Sequence, residues 1–319
     1  MKKNETEVVW SDVRVPFSTQ GTSEADTWSP PRHFTETPHA KFAVCQPDIG
    51  PRRMSGAEIL NLNTYDFMAH LGKTVINPGG NRGRDLVLEI INPQPGARLL
   101  EIGCGTGYAA CHIARRYRCH VTAIDISPTM IETAQQVVQS QRFEQQVDCR
   151  VGDITHLPFA DDTFDYVICQ AVLMFVDKPS ALREIRRVLR PRGGFAGLEF
   201  SWRREPTETV RESTYRICGC RTLEFHSASE WEQQLTRGGL HEVKSGEQPF
   251  TMLSIPGFVR DEGLTNSLKI FGRVLRRKAN IQRMGQIWGH FSRNIEYFSY
   301  VVLSGAKLSP QRGGVTSDD

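Results

Sequence analysis

The sequence predicts an α/β protein: a sheet of seven mostly parallel strands with helices on both faces, a polar N-terminal arm, and a helical insertion before the last strand. Three observations predict it. The apolar run Leu99 to Ile102 breaks into alternate glycines, Gly103, Gly105 and Gly107, and then opens a helical pattern at Tyr108. That order marks a strand, a tight turn and a helix N-terminus, because a turn that brings backbone close to a ligand has no room for a Cβ and often needs positive φ. Apolar runs of strand length then alternate with helical periodicity as far as Phe200, which implies right-handed crossovers and a sheet covered on both faces. Finally, Tyr297 to Gly305 reads as a closing strand after a helical stretch.

Taken in order, residues 1–52 are polar and punctuated by Pro16, Pro30, Pro31, Pro38, Pro47 and Pro51, an arm that is either disordered or draped over the body. Residues 53–92 read as a helical cover segment: one or two short helices between Ser55 and His70, a turn at Asn77-Pro78-Gly79-Gly80, and a helix from Asp85 to Ile91 that stops before Pro93. The core spans 93–256 and 294–307. Its strands are Arg98 to Ile102, Val121 to Ile124, Val147 to Val151, Phe164 to Cys169, Phe195 to Phe200, a sixth between Leu240 and Leu253, and the closing one. Ser127-Pro128 supplies an N-cap followed by proline at the first helical position, and Ser227 with Glu230 forms a capping box. Pro191-Arg192-Gly193-Gly194 reads as the turn that ends one helix and precedes the fifth strand. Residues 257–293 form the insertion, and 308–319 a flexible tail.

Composition narrows the class. The 319 residues carry a net charge of +3, too mild to imply nucleic acid by itself. The eight cysteines (Cys45, Cys104, Cys111, Cys119, Cys149, Cys169, Cys218, Cys220) lack zinc-ligand spacing, so no metal is expected and reduced, cytoplasmic thiols are. Cys218-x-Cys220 reads as a pair of ordinary buried thiols. The N-terminus has no apolar core of a signal peptide, and no stretch approaches the roughly 18 apolar residues of a spanning helix.

In sequence, Glu101-Ile102-Gly103-Cys104-Gly105-Thr106-Gly107, the acid Asp125 closing the second strand, Gly152-Asp153-Ile154, Phe164 to Gln170, and Leu189-Arg190-Pro191-Arg192-Gly193-Gly194 resemble the ordered motifs of class I S-adenosylmethionine-dependent methyltransferases. The pattern is most similar to the ubiquinone/menaquinone-type branch that acts on small molecules. The resemblance covers roughly Ser55 to Lys307 and implies a Rossmann-like sheet, S-adenosyl-L-methionine as cofactor, and methyl transfer to a small organic acceptor with release of S-adenosylhomocysteine. It further implies a small-molecule acceptor as the partner, is compatible with a homodimer, and calls for neither a membrane nor nucleic acid.

The implied cofactor-binding residues are Glu101, Gly103, Cys104, Gly105, Gly107, Asp125, Ile126, Asp153, Ile154 and Gln170. Asp125 stands about one βα unit past the glycine turn, where a carboxylate accepts both ribose hydroxyls. Asp153 would accept from the adenine amine, with the Ile154 N–H offered to the ring. Glu101 would orient the methionine portion, and backbone near Gly103 and Gln170 would hold its amino-acid end. Methyl transfer needs in-line positioning and exclusion of water, with a base only for a hydroxyl or carbon acid. Glu199, His226 and His70 are the candidates. The basic run Lys269, Arg273, Arg276, Arg277 and Lys278 reads as a solvated helix face, with attraction of a phosphorylated or carboxylated substrate, or of RNA, as the alternative, and Phe271, Ile281, Ile287, Trp288 and Phe291 read as the apolar inner face of a lid.

Two other readings stay open. A nicotinamide-dependent oxidoreductase also places glycines after a strand, but its G-x-G-x-x-G spacing wants a small residue at Tyr108. A non-catalytic scaffold that keeps the cofactor is the second. Methylation of RNA bases is disfavoured by Gln170-Ala171-Val172-Leu173, which stands where an Asn-Pro-Pro-Tyr-like motif is common.

Overall fold

A computed structural model describes residues 54–309 except 221, 251 and 253; the arm and residues 310–319 of the tail lie outside the described residues. In chain order the elements are α1 (Gly56–Asn61), α2 (Thr64–His70), α3 (Gly80–Ile91), β1 (Arg98–Ile102), α4 (Tyr108–Tyr117), β2 (His120–Asp125), α5 (Pro128–Gln141), β3 (Val147–Val151), β4 (Phe164–Gln170), α6 (Lys178–Val188), β5 (Leu189–Trp202), α7 (Glu208–Cys218), α8 (Ala228–Arg237), β6 (His241–Pro249), α9 (Ile255–Leu275), α10 (Lys278–Arg293) and β7 (Phe298–Ala306). The seven strands form one sheet in the order β3-β2-β1-β4-β5-β7-β6. All pairs are parallel except those of β7, which runs antiparallel to β5 and β6. The order reverses between β1 and β4, so their carboxyl ends diverge and leave a crevice where such sheets bind ligands.

Local chemistry explains most boundaries. Ser127 accepts from the Met130 N–H and Pro128 opens α5, while Ser227 and Glu230 cap α8 reciprocally. The central strands are buried on both sides, as parallel strands under two helical layers must be. One face packs with α6 and α8 around Trp231, Phe195 and Leu182, the other with α3, α4 and α5 around Val87, Ile113 and Ala134.

The structure departs from the sequence reading at four places. The cover helix α3 begins at Gly80, five residues before Asp85. Helix α7 is an addition; its Thr207 cap accepts from the Val210 N–H, but its thin apolar pattern gives little period to read. The Pro191 to Gly194 run is an excursion within β5: Phe164 pairs with Leu189 and Tyr166 with Gly194, with Arg192 at φ 66° and Arg190 held by Asp165 at 2.7 Å. Phe271, Ile281 and Trp288 are exposed, so only Ile287 and Phe291 of the five form an inner face.

The insertion is stitched to the cover segment by two adjacent acids on α9. Glu262 accepts from the Thr74 and Val75 backbone N–H groups, the Thr74 hydroxyl, Asn266 and the Lys73 ammonium, the last at 3.2 Å in a fully buried pair. Asp261 accepts from the Asn81 N–H at 2.9 Å beside Gly80, whose φ of +61° and lack of a Cβ admit the carboxylate. Glu262→Ala leaves the Lys73 ammonium buried and alone, and we expect a loss of about 3–5 kcal/mol in denaturant unfolding. The double variant Lys73→Met, Glu262→Leu removes both charges and should recover most of it.

Candidate functional site

A cavity of about 750 Å³ opens at the carboxyl ends of β1, β2 and β4, beneath the cover segment and the start of α9. The glycine turn forms its floor. Gly103, at φ +74°, lies where a Cβ would meet Val172 Cγ2 at 2.3 Å, so the turn after β1 touches the turn after β4 only because residue 103 has no side chain. At Gly105, φ +52°, an added Cβ would meet nothing within 4 Å, which leaves backbone facing open space on the cavity wall. Gly107 is not on the wall. Its missing Cβ would stand 2.9 Å from Ala134 Cβ, so a glycine here lets α4 approach α5.

Nine of the ten cofactor-binding residues named from sequence do line the cavity: Glu101, Gly103, Cys104, Gly105, Asp125, Ile126, Asp153, Ile154 and Gln170. Asp125 accepts from the Gly105 N–H at 3.0 Å through Oδ2 and from the Ser127 N–H at 2.9 Å through Oδ1. One carboxylate thereby joins the glycine turn to the start of α5. Burial pushes its pKa up against those hydrogen bonds. Asp153 accepts from the Thr155 N–H and hydroxyl, both at 2.8 Å, closing the turn after β3. Glu101 is 3% exposed and its Oε2 has no hydrogen-bond partner. Burial raises its pKa to about 8, with Arg84 opposing and Asp125 adding to the rise. Asn77, from the Asn-Pro-Gly-Gly turn, donates to Gln170 at 3.4 Å, while its own Oδ1 is buried without a partner.

These features have known counterparts. The family profile described as "Methyltransferase domain" matches residues 100–197, the stretch from β1 into β5. An uncharacterized methyltransferase of Bacillus subtilis, YodH, is 28% identical over 183 residues, 56% of this chain and 75% of that protein. The ubiquinone/menaquinone biosynthesis C-methyltransferase UbiE of Geotalea daltonii is 35% identical over 141 residues, 43% of this chain and 58% of that one. Among solved structures, Haemonchus contortus phosphoethanolamine N-methyltransferase 2, in complex with phosphomonomethylethanolamine and S-adenosylhomocysteine, aligns with a TM-score of 0.64 at 17% identity, over 81% of this chain and 62% of that one. The chain thus carries a methyltransferase domain, and it is similar to class I S-adenosylmethionine-dependent methyltransferases.

For a methyltransferase of this class the cavity suits its cofactor. An uncompensated carboxylate oxygen on Glu101 and an acid-lined wall at Asp125 and Asp153 favour a ligand that carries positive charge and donates hydrogen bonds. The backbone exposed at Gly105 admits close approach.

The candidate bases do not reach this cavity. Glu199 is fully buried in β5 and accepts from the N–H groups of Val172 and Leu173 at 3.0 and 2.9 Å, with Met174 at 3.4 Å. It therefore fixes the turn after β4, whose residues Ala171 and Val172 are cavity wall. His226 packs edge-on against Trp231, 4.9 Å between ring centroids, away from the wall, and burial lowers its pKa. His70 is also absent from the wall. Instead the wall carries Tyr65, Asp66, Phe175, Cys220 and Thr222. Sequence reading missed Asp66; the signal was Asn63, which caps α2 and places Asp66 in its first turn. In the methyltransferase Glu199→Gln swaps an acceptor for a donor facing N–H groups. We expect a loss of about 1–3 kcal/mol, read as a lower melting temperature, with S-adenosylmethionine affinity of the folded protein changed less than the stability.

Proposed function

We propose that the protein transfers the methyl group of S-adenosylmethionine to a small organic acceptor held against Tyr65, Phe175 and Asp66, and releases S-adenosylhomocysteine. The observation that carries this reading is the continuity of one cavity. The same cavity is lined by the glycine turn with its carboxylates and by an aromatic pair, Tyr65 and Phe175, which meet edge to face at 5.1 Å. The volume lies within the range of small-molecule sites, about 300–1,000 Å³.

In this reading Asp125 takes the ribose hydroxyls, Asp153 and the Ile154 N–H the adenine, and Glu101 the ammonium of the methionine portion. Backbone at Gly103 and the Gln170 side chain flank that portion. The bound cofactor supplies an electrophilic methyl on a sulfonium sulfur. The chain's residues orient the acceptor and exclude water: Tyr65 and Phe175 together offer an apolar wall, and α9 with Thr74 to Asn77 closes the cavity. Asp66 accepts the acceptor's proton, so that its O–H or N–H bond breaks as the new bond to the methyl carbon forms. Burial raises the Asp66 pKa, its hydrogen bond from Asn63 lowers it and neighbouring Cys220 raises it further, a net shift towards the range of a working base. The cytosol is the compartment: the seven described cysteines are buried thiols, as reduced structural cysteines are.

Calorimetry with S-adenosylmethionine and NAD, followed by a labelled-methyl screen of small-metabolite pools, tests the whole reading. Binding of NAD in place of S-adenosylmethionine would sink it.

Two sharper outcomes follow from the acids. In the ligand-free protein Glu101 stays protonated up to about pH 8, so its contribution to stability is complete below the ordinary carboxyl range and is lost as pH rises through that value. A cation on Oε2 favours the carboxylate, so binding at neutral pH releases a proton and tightens about tenfold per pH unit below about pH 8. Titrations in buffers of different protonation enthalpy read the release; Glu101→Gln should abolish both it and the slope. For Asp66→Asn, kcat should fall about 10²–10⁴-fold with cofactor affinity unchanged, and an unaltered rate would remove Asp66 from its role.

A further inference from the structure

Beyond the cavity, the least expected feature is the outer face of the insertion. Helix α9 is two pieces, because its helical path breaks at Gly263, where φ is 70° and ψ 163°. The piece before the break carries Asp261 and Glu262 and is bound to the cover segment. The piece after it buries Ser267, Ile270 and Val274, yet leaves Leu264, Leu268, Phe271 and Leu275 exposed, three of them by more than 60%. Their spacing of four, three and four residues puts them in one stripe along the helix. On α10, Ile281 and Trp288, seven residues apart, are exposed as well. Monomeric proteins seldom leave so ordered an apolar row open to water.

Charge says what covers it. From Gly263 to Asn294 the chain has seven Lys and Arg and no Asp or Glu. Lys269, Arg276, Arg277 and Lys278 are exposed beside or just beyond the stripe. A second copy docked face to face would set this cationic cluster against its own image, which opposes pairing. The chain's own residues 1–53 carry seven Lys and Arg against seven Asp and Glu, and so offer no net negative charge to match it. An apolar row flanked by cations and free of acids matches a bilayer boundary, where acyl chains meet anionic headgroups and long basic side chains reach back to the phosphates.

We propose that the Leu264–Leu275 face of α9 docks in the plane of an anionic phospholipid surface. No described helix is long and apolar enough to cross a membrane, and none needs to be: a helix lying in the interface requires a stripe and cations only. The absence of a spanning stretch, which argues against a membrane partner in the sequence, is silent on this mode of contact. The piece that docks is joined through Gly263 to the piece that closes the cavity, so the surface also bears on the lid.

Vesicle co-sedimentation of the full chain tests this, with phosphatidylcholine alone and with about a third phosphatidylglycerol at about 0.1 M salt. Binding should need the anionic lipid and be lost at about 1 M salt. The triple variant Lys269→Gln, Arg276→Gln, Arg277→Gln should bind on the order of a hundredfold more weakly, about fivefold per cation. Leu268→Ser with Phe271→Ser should also release the protein, and wild-type affinity for S-adenosylmethionine in both variants checks that they fold. Equal partition onto neutral and anionic vesicles, or none onto either, would overturn the proposal. So would a dimer in sedimentation equilibrium that the Leu268→Ser, Phe271→Ser variant dissolves, or vesicle binding that appears only after residues 1–53 are removed.

Discussion

Buried carboxylates that accept backbone N–H groups hold the described walls of the cavity in place. A parallel sheet ends in loops whose N–H groups have lost their ladder partners, and a buried donor without an acceptor costs about 1–3 kcal/mol. Asp125 takes those of Gly105 and Ser127, Glu199 those of Val172 and Leu173, Glu262 those of Thr74 and Val75, and Asp261 that of Asn81. Each acid comes from one element and fixes another. The turn after β1 is thereby tied to β2, the turn after β4 to β5, and the cover segment to the insertion. The contact of Gly103 with Val172 is the point where two of these tethered turns meet.

The same device sets the site's electrostatics. Acids spent on neutral N–H groups are not neutralised, and of these four, among the described residues, only Glu262 has a buried cation within ion-pair distance. There Lys73 and the N–H groups overcome burial and hold the pKa down, whereas burial prevails at Asp125, Asp261 and Glu101 and raises theirs. A cavity with unspent negative capacity and one unpartnered carboxylate oxygen favours a cationic guest over an anionic one. Methyl donation from a sulfonium compound suits such a wall, while a donor carrying phosphates would meet like charge.

Much of this was legible in the sequence because the cofactor side is encoded locally. Glycines at alternate positions after an apolar run, an acid closing the next strand and Ser-Pro before a helix each state a backbone geometry within a few residues. The catalytic side is not encoded that way. Glu199 and a cavity-facing acid look alike in sequence, since β5 is buried on both faces and no alternation shows which side a residue faces. His226 is an ambiguous polar residue in the sequence, and only the fold sets Trp231 against its ring. Asp66 joins the cavity wall through the packing of α2 with α7, which brings residues about 150 apart in the chain together, as in the bond from the Thr64 hydroxyl to the Ile217 carbonyl at 2.8 Å. The outward turn of Phe271 and Trp288 is equally hidden. A helical period shows that a stripe exists, and only the fold shows whether anything packs on it.

Gly263 brings the two sides of α9 into one mechanical unit. A φ of 70° with ψ 163° belongs to the region that side chains avoid, so the break is available to glycine and costly to other residues. Before it, Asp261 and Glu262 press on the segment that carries Asn77 and lines the cavity; after it, the apolar row faces outward. The inner piece is fixed by a buried ion pair and several N–H bonds, the outer by the burial of Ser267, Ile270 and Val274 and by the bond from Arg273 to the Leu71 carbonyl. The outer piece also reaches the cavity wall directly, where the Asn266 amide donates to the Gly72 carbonyl at 3.3 Å, beside the route through Glu262 and the backbone of Thr74 and Val75. The cover segment is thus held from both pieces of α9, whereas the cavity floor is held separately, by Asp125 and Glu199 from the sheet itself.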